Sequence, residues 1–284
     1  MNSSLLMDNL QKGAELNQLS RLLLDQAASN WYKALAFELV AAVIGLVPAF
    51  FDFSNDTNVG FAIFGCVFIA IGYFFRLRFD DVYDRAETMR RQSVLSEGLD
   101  WPINSVQFSE WKMKAGKKIL DAFRFNPRAP DYYETQEDAG PKRILQLTIE
   151  SAHWMRNLYF RMRILMWILF GVSVCMSIIL LGLTPFTFVN EEARFAITYF
   201  VFLALPILVS IDILGWALKL NRLYSSVLEI EKDLNRAEQK TEVDLPEVLR
   251  LVSEYNCQVV SGIPIHKQLF KWWHDDIQKL WDER

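Results

Sequence analysis

Two pairs of long apolar runs, each pair joined by a short polar turn, constrain this chain more than anything else in it. Residues 34–53 and 59–75 form the first pair, and 164–189 and 195–218 the second. Each run is about as long as a helix must be to cross roughly 30 Å of hydrocarbon at about 1.5 Å per residue. Lipid offers no hydrogen-bond partners, so each run must satisfy its own backbone groups as a helix. The competing reading is a very apolar soluble helical protein, and four such runs in one chain argue against it. The expected fold is an all-α membrane protein with four transmembrane helices in two hairpins and helical cytosolic extensions.

Charge sets the expected orientation. The first turn carries Asp56 and no Lys or Arg, and the second carries Glu191 and Glu192 against Arg194. The other flanks are basic: Arg76 and Arg78, then Arg156, Arg161 and Arg163, then Lys219 and Arg222. Positive charge marks the cytoplasmic side, so both termini and the stretch between the hairpins are read as cytosolic. Five segments follow. They are an N-terminal amphipathic helix (1–33), a transmembrane hairpin (34–75), a cytosolic middle domain (76–163), a second hairpin (164–218) and a helical C-terminal region (219–284). No signal peptide is read, because the first apolar run starts past residue 30 and is full length. A net charge of −4 gives no nucleic-acid signature overall. The three cysteines, two inside spans and one in the tail, do not make a disulfide framework.

Between the spans the pattern is helical. Leu16, Leu19 and Leu23 recur at three- and four-residue spacing, with Leu22 broadening the stripe. Two burial partners stay open for that stripe. One is the membrane surface or the chain's own cytosolic part; the other is the same stripe in further subunits, bundled as a plug. The second run continues as helix to about Gly98, where Asp100-Trp101-Pro102 breaks it. Residues 108–125 read as one amphipathic helix with Trp111, Ile119, Leu120 and Phe123 on its apolar side. Gly140-Pro141 opens a helix that runs into the third span. Leu220, Leu223, Val227, Ile230 and Leu234 follow a and d spacing after the fourth. Asp244, with Pro246 and Glu247 behind it, starts another helix that ends near Gly262. A last amphipathic helix carries Phe270, Trp273, Ile277 and Trp281.

Enzyme chemistry is not expected. His153, His266 and His274 lack metal-ligand spacing, no nucleotide-binding or hydrolase motif is present, and Cys257 with His266 is the one nucleophile candidate. No cofactor is expected. Two acids, Glu38 and Asp212, lie within spans, where an ionisable group faces water, a bundle interior or the headgroups. They are candidates for a cation pathway or for the interface, and Pro48 and Pro206 kink their helices. Lys112, Lys114, Lys117, Lys118, Arg124, Arg128, Lys142 and Arg143 form a basic cluster interleaved with Trp111, Phe123, Phe125, Tyr132 and Tyr133. Positive charge with stacking surfaces suits a phosphate-bearing ligand, and a cytosolic basic segment equally suits anionic headgroups or topology control.

The tail Tyr255-Asn-Cys-Gln-Val-Val-Ser-Gly-Ile-Pro-Ile-His266, then Leu-Phe-Lys-Trp-Trp273, together with the two-hairpin layout, resembles the S-4TM putative pore-forming effectors. The stretch Gly140–Ala152 is similar to membrane effectors of that kind. The resemblance implies a bacterial inner-membrane protein encoded beside a nucleotidyltransferase in an anti-phage operon. It also implies membrane depolarisation when a nucleotide or short oligonucleotide signals infection. The resulting expectation is a ligand-gated homo-oligomeric channel, a tetramer favoured, within the lipid bilayer. Lys112, Lys114, Lys117, Lys118, Arg128, Lys142 and Arg143 would hold the ligand, and Leu16, Leu19, Leu23, Glu38 and Asp212 would form the pore and gate. Two other classes compete: a non-conducting scaffold that recruits a cytosolic partner through the C-terminal aromatic helices, and an enzyme of lipid metabolism.

Overall fold

The computed structural model describes residues 3–50, 54–124, 133, 135, 137–187 and 213–284. The protein is all-helical, with no strand among these residues. The helices are α1 (Ser3–Phe50), α2 (Asn55–Leu99), α3 (Ser105–Ala115), α4 (Lys117–Ala122), α5 (Pro141–Thr187), α6 (Ile213–Glu238), α7 (Leu245–Val260) and α8 (Lys267–Asp282). The second polar turn and most of the fourth apolar run, with Pro206 and Asp212, lie outside the described residues, as does Arg128.

The chain divides into two compact units. Unit 1 comprises Met1–Ser29, Arg78–Tyr159 and Arg222–Arg284; unit 2 comprises Asn30–Leu77 and Phe160–Asn221.

Unit 1 is built around a buried helical core. Leu16, Leu19 and Leu23 of α1 are fully buried in it. So are Ala86 and Met89 of α2, Ile144, Leu145 and Leu147 of α5, Val227 and Leu234 of α6, Val248 and Leu251 of α7, and Ile277 of α8. Glycines let backbones close up inside it. A Cβ on Gly98 would meet the Ile144 Cβ at 2.6 Å and its Cα at 2.9 Å, so the end of α2 lies against α5 only because residue 98 has no side chain. The Gly140 N–H donates to the Gly98 carbonyl at 2.8 Å. Ser93 Oγ donates to the Gly13 carbonyl at 2.9 Å and ties α1 to α2. Gly262 likewise makes room for the hydroxyl end of Tyr159, with its own Cβ position 2.7 Å from the Val259 carbonyl oxygen.

Several local expectations hold. α2 ends at Leu99, followed by Asp100 with a left-handed φ of 54°. The Asp244 side chain accepts from the Glu247 N–H, and Pro246 sits in the first turn of α7. The expected single helix over 108–125 is two helices instead. Gly116, at φ 84°, closes α3 and precedes α4, a conformation open to glycine at little cost.

Unit 2 shows the opposite surface. Among the described residues one helix, Asp56–Leu99, is long and apolar enough to cross a membrane, and only 6 % of its most apolar stretch is buried. Val59, Ile63, Phe64 and Ile69 of α2 face outward, as do Leu39, Val40 and Val43 of α1, Ile168 and Val172 of α5, and Leu218 of α6. What unit 2 buries is compact and partly aromatic: Trp31, Ala34, Ala41, Met162, Ala217 and Leu220.

Candidate functional site

The described basic residues of the cluster lie on α3, on α4, at Arg124 and in the first turn of α5. Asn104 caps α3 by accepting from the Val106 N–H at 2.8 Å, which places Lys112 and Lys114 in the last turn, where cations complement the helix dipole. The Arg85 guanidinium donates to the Lys114 carbonyl at 2.6 Å and closes that end from α2. Four of the cations hold acids of the same chain. Lys112 pairs with Glu15 and stands over the Phe108 ring at 4.6 Å. Lys114 pairs with Glu110 at 2.6 Å. Lys142 pairs with Glu137 at 2.6 Å, and that hydrogen bond and charge hold its amine above the ordinary lysine value. Arg143 meets Glu97 at 3.6 Å and donates to the Glu137 carbonyl at 2.8 Å. Lys117 and Lys118 are exposed. The sequence reading missed the acids; Glu15 and Glu97 lie on other helices, so no local spacing marks them.

The leucine stripe changes meaning. Of the two burial partners the sequence leaves open, a stripe shared among subunits needs exposed leucines. Leu16, Leu19 and Leu23 are buried within one chain, which removes the surface an intersubunit plug would use. Glu38 is also paired. Its carboxylate accepts from Arg76 Nε at 3.1 Å and from Arg76 Nη2 at 2.9 Å to each oxygen. A Cβ on Gly72 would lie 3.3 Å from the Ala34 carbonyl oxygen and from Glu38 Cγ, so α1 and α2 approach closely one turn from the pair. Beside it, Phe37 stacks on Phe75 with centroids 5.6 Å apart, and Lys33 stands 5.6 Å over Phe75. Trp31 meets Trp216 edge to face at 5.7 Å, and Lys219 covers the Trp216 ring at 4.9 Å. Such a mixture of Trp, Lys and Arg is typical of side chains at a membrane–water boundary.

Two buried polar assemblies of unit 1 had no sequence signal. In the first, Arg90 Nε donates to Glu87 at 2.9 Å and Nη2 to Asn256 Oδ1 at 3.1 Å. Burial, the largest single influence, would pull the Arg90 guanidinium down, but the Glu87 charge and hydrogen bond together with Tyr255 and Tyr133 outweigh it and hold it above its ordinary value. Tyr83, Tyr159 and Tyr255 crowd the same region; burial above all, followed by the Glu87 charge for Tyr83 and by neighbouring phenols for Tyr159 and Tyr255, pushes each phenol well up. Tyr83 donates to the Val259 carbonyl at 3.1 Å, while the Tyr159 hydroxyl is buried without a hydrogen-bond partner. In the second, buried Glu231 meets Arg156 at 2.8 Å, Arg284 at 3.1 Å and His153 Nδ1 at 3.6 Å. The Arg156 contact has ion-pair distance without hydrogen-bond geometry, so Glu231 Oε2 accepts none. Trp281 lies 5.2 Å from the His153 ring, and Trp154 packs on Phe270 at 5.7 Å. α8 is thereby fastened to α5 at both ends of its apolar face, and Arg284 just beyond it reaches Glu231 of α6.

Among the described residues, no three or more His, Cys, Asp or Glu side chains are placed to hold a metal ion. Cys257 is exposed, and the His266 imidazole accepts from the Gln268 N–H at 3.2 Å as the cap of α8. Comparison with known protein families, curated proteins and solved structures found no match.

Proposed function

We propose that this chain is a membrane-embedded, pore-forming effector whose helical unit 1 receives an anionic signal and biases a closed–open equilibrium. One observation carries the reading. α1, α2, α5 and α6 each bury their apolar side chains in unit 1 and turn comparable side chains outward in unit 2. A helix that reverses its outward chemistry along its length suits two solvents, water and lipid. In this reading both hairpins span the bilayer, with the termini cytoplasmic, and the chain works as a homo-oligomer around a pore on the symmetry axis.

The resemblance to S-4TM effectors suggests a nucleotide or short oligonucleotide as the signal, a nucleotidyltransferase as its source, and depolarisation of a bacterial inner membrane as the outcome. The basic first turn of α5 supports such a ligand through exchange. Phosphates that displace Glu97 and Glu137 from Arg143 and Lys142 would release one set of contacts and form another. A ligand shifts such an equilibrium only by binding one state better than the other.

The test is ion flux from the purified chain in liposomes. The reading expects flux that an added oligonucleotide switches on or off, with the response lost in Lys142→Glu with Arg143→Glu. Sealed liposomes under every ligand condition, with the chain inserted, would favour the scaffold. That second reading has its own support in Trp272, 73 % exposed on α8, and in the exposed Leu280 of the same helix.

A further inference from the structure

The α3–α4 segment is nearly absent from the core. α3 buries Ala115 alone, and α4 buries no residue. Its inner side, with Phe108, Trp111 and Ile119, is half-buried. The outer side is unusual for a helix in water: Val106 is 76 % exposed and Met113 is 73 % exposed. They are seven residues apart, two helical turns, and so share one face. Trp101, just ahead of the helix, is also exposed. Glu110 lies between them on that face, and exposed Lys117, Lys118 and Arg124 follow in the same segment. Over residues 101–124 the basic side chains outnumber Glu110 and Asp121 by three, although the whole chain carries −4.

Exposed apolar side chains in a segment with an excess of exposed cations fit one environment well: the interface of an anionic bilayer, where the apolar groups enter the headgroup boundary and each cation meets negative surface potential. We propose that α3–α4 is a peripheral docking element that lies on anionic phospholipid through Val106 and Met113 and is held there by Lys117, Lys118 and Arg124. The charge complement decides the occupant. An apolar protein partner would leave these cations unmatched, and a single-stranded nucleic acid would leave Val106 and Met113 in water. The proposal rests on the membrane part of the reading above and not on its ligand or pore.

The experiment is hydrogen–deuterium exchange of the full chain in lipid nanodiscs, followed on peptides covering 105–122. Discs of zwitterionic lipid alone are compared with discs containing about one-third anionic phospholipid. The expected result is exchange slowed about tenfold in the anionic discs, consistent with a few cations near the surface. High salt weakens the slowing, and Val106→Asp with Met113→Asp or Lys117→Glu with Lys118→Glu removes it. Both double variants alter exposed side chains, so exchange in α7 should not change. Equal exchange in both discs overturns the proposal. Protection in zwitterionic discs that appears only with an added single-stranded oligonucleotide reassigns the face to nucleic acid. A chain that never enters the discs defeats the membrane reading itself and this proposal with it.

Discussion

Unit 1 and unit 2 share four helices yet solve opposite problems. In unit 1 the stripe Leu16, Leu19, Leu23 is buried; farther along the same helix, in unit 2, Leu39, Val40 and Val43 face outward. α5 repeats the contrast, with Ile144 and Leu145 inside and Ile168 and Val172 outside. Polar groups separate the units too. Unit 1 buries Glu87 and Glu231 among arginines, whereas unit 2 places its Glu38–Arg76 pair half-exposed beside stacked aromatics. The backbone is helical in both units, so the surroundings, not the backbone, decide which face is covered.

The harshest way to break the contrast is Leu16→Asp with Leu23→Asp. Two carboxylates placed in the closed core of unit 1 carry a burial cost that ordinary stability does not cover. The expected outcome is loss of folded unit 1, seen as collapse of helical circular dichroism and aggregation in size exclusion. A folded, leaky channel from this variant would restore the intersubunit plug that the buried leucines argue against.

Alkali should act on unit 1 through its phenols. Tyr83, Tyr159 and Tyr255 have folded values raised above 10.0, so between those values and 10.0 the unfolded chain loses protons that the folded chain keeps. Stability is therefore intact below pH 10 and falls as pH rises above it, by about 1.4 kcal/mol per tyrosine per pH unit. Three tyrosines make that roughly 4 kcal/mol per unit. Phenolate absorbance should rise together with loss of helix; early titration of all three without unfolding would mean that water reaches them.

The finest comparison is a matched pair of truncations. Leu19→Ala empties a fully buried site and is expected to cost about 3 kcal/mol. Val43→Ala, on an outward side chain, is expected to stay within about 0.5 kcal/mol. Denaturant titrations in detergent measure both, and equal costs would show that Val43 is packed against a protein surface instead of lipid or detergent.

Elements governed by local pattern were legible in the sequence. The helices over the first three apolar runs, the stop after Gly98, the Asp244 cap and the stripe of α6 each rest on neighbours a few residues away. The break at Gly116 was not, because an isolated glycine within an amphipathic pattern is compatible with either one helix or two. The candidate site was half legible. Its cations were visible, but Glu15 reaches Lys112, and Glu97 reaches Arg143, from other helices. Glu38 and Arg76 were each noticed, one for its depth and the other for topology, and only the packing of α1 on α2 reveals them as a pair. The Glu231 assembly draws on α5, α6 and the end of the chain, a distance in sequence at which charge pattern carries no information.

The bond from the Gly140 N–H to the Gly98 carbonyl makes residues 99–139 an arm that leaves and returns to one point. Closing a loop of that length costs roughly 3 kcal/mol of chain entropy, and among its described residues the arm buries Ile103, Ala115 and Tyr133 in return. A short glycine turn from α2 to α5 would satisfy the same junction. The arm, with α3 and α4 on it, thus starts and ends at one junction, and the Lys112–Glu15 pair and the bond from Arg85 to the Lys114 carbonyl are among the contacts that fasten it to α1 and α2.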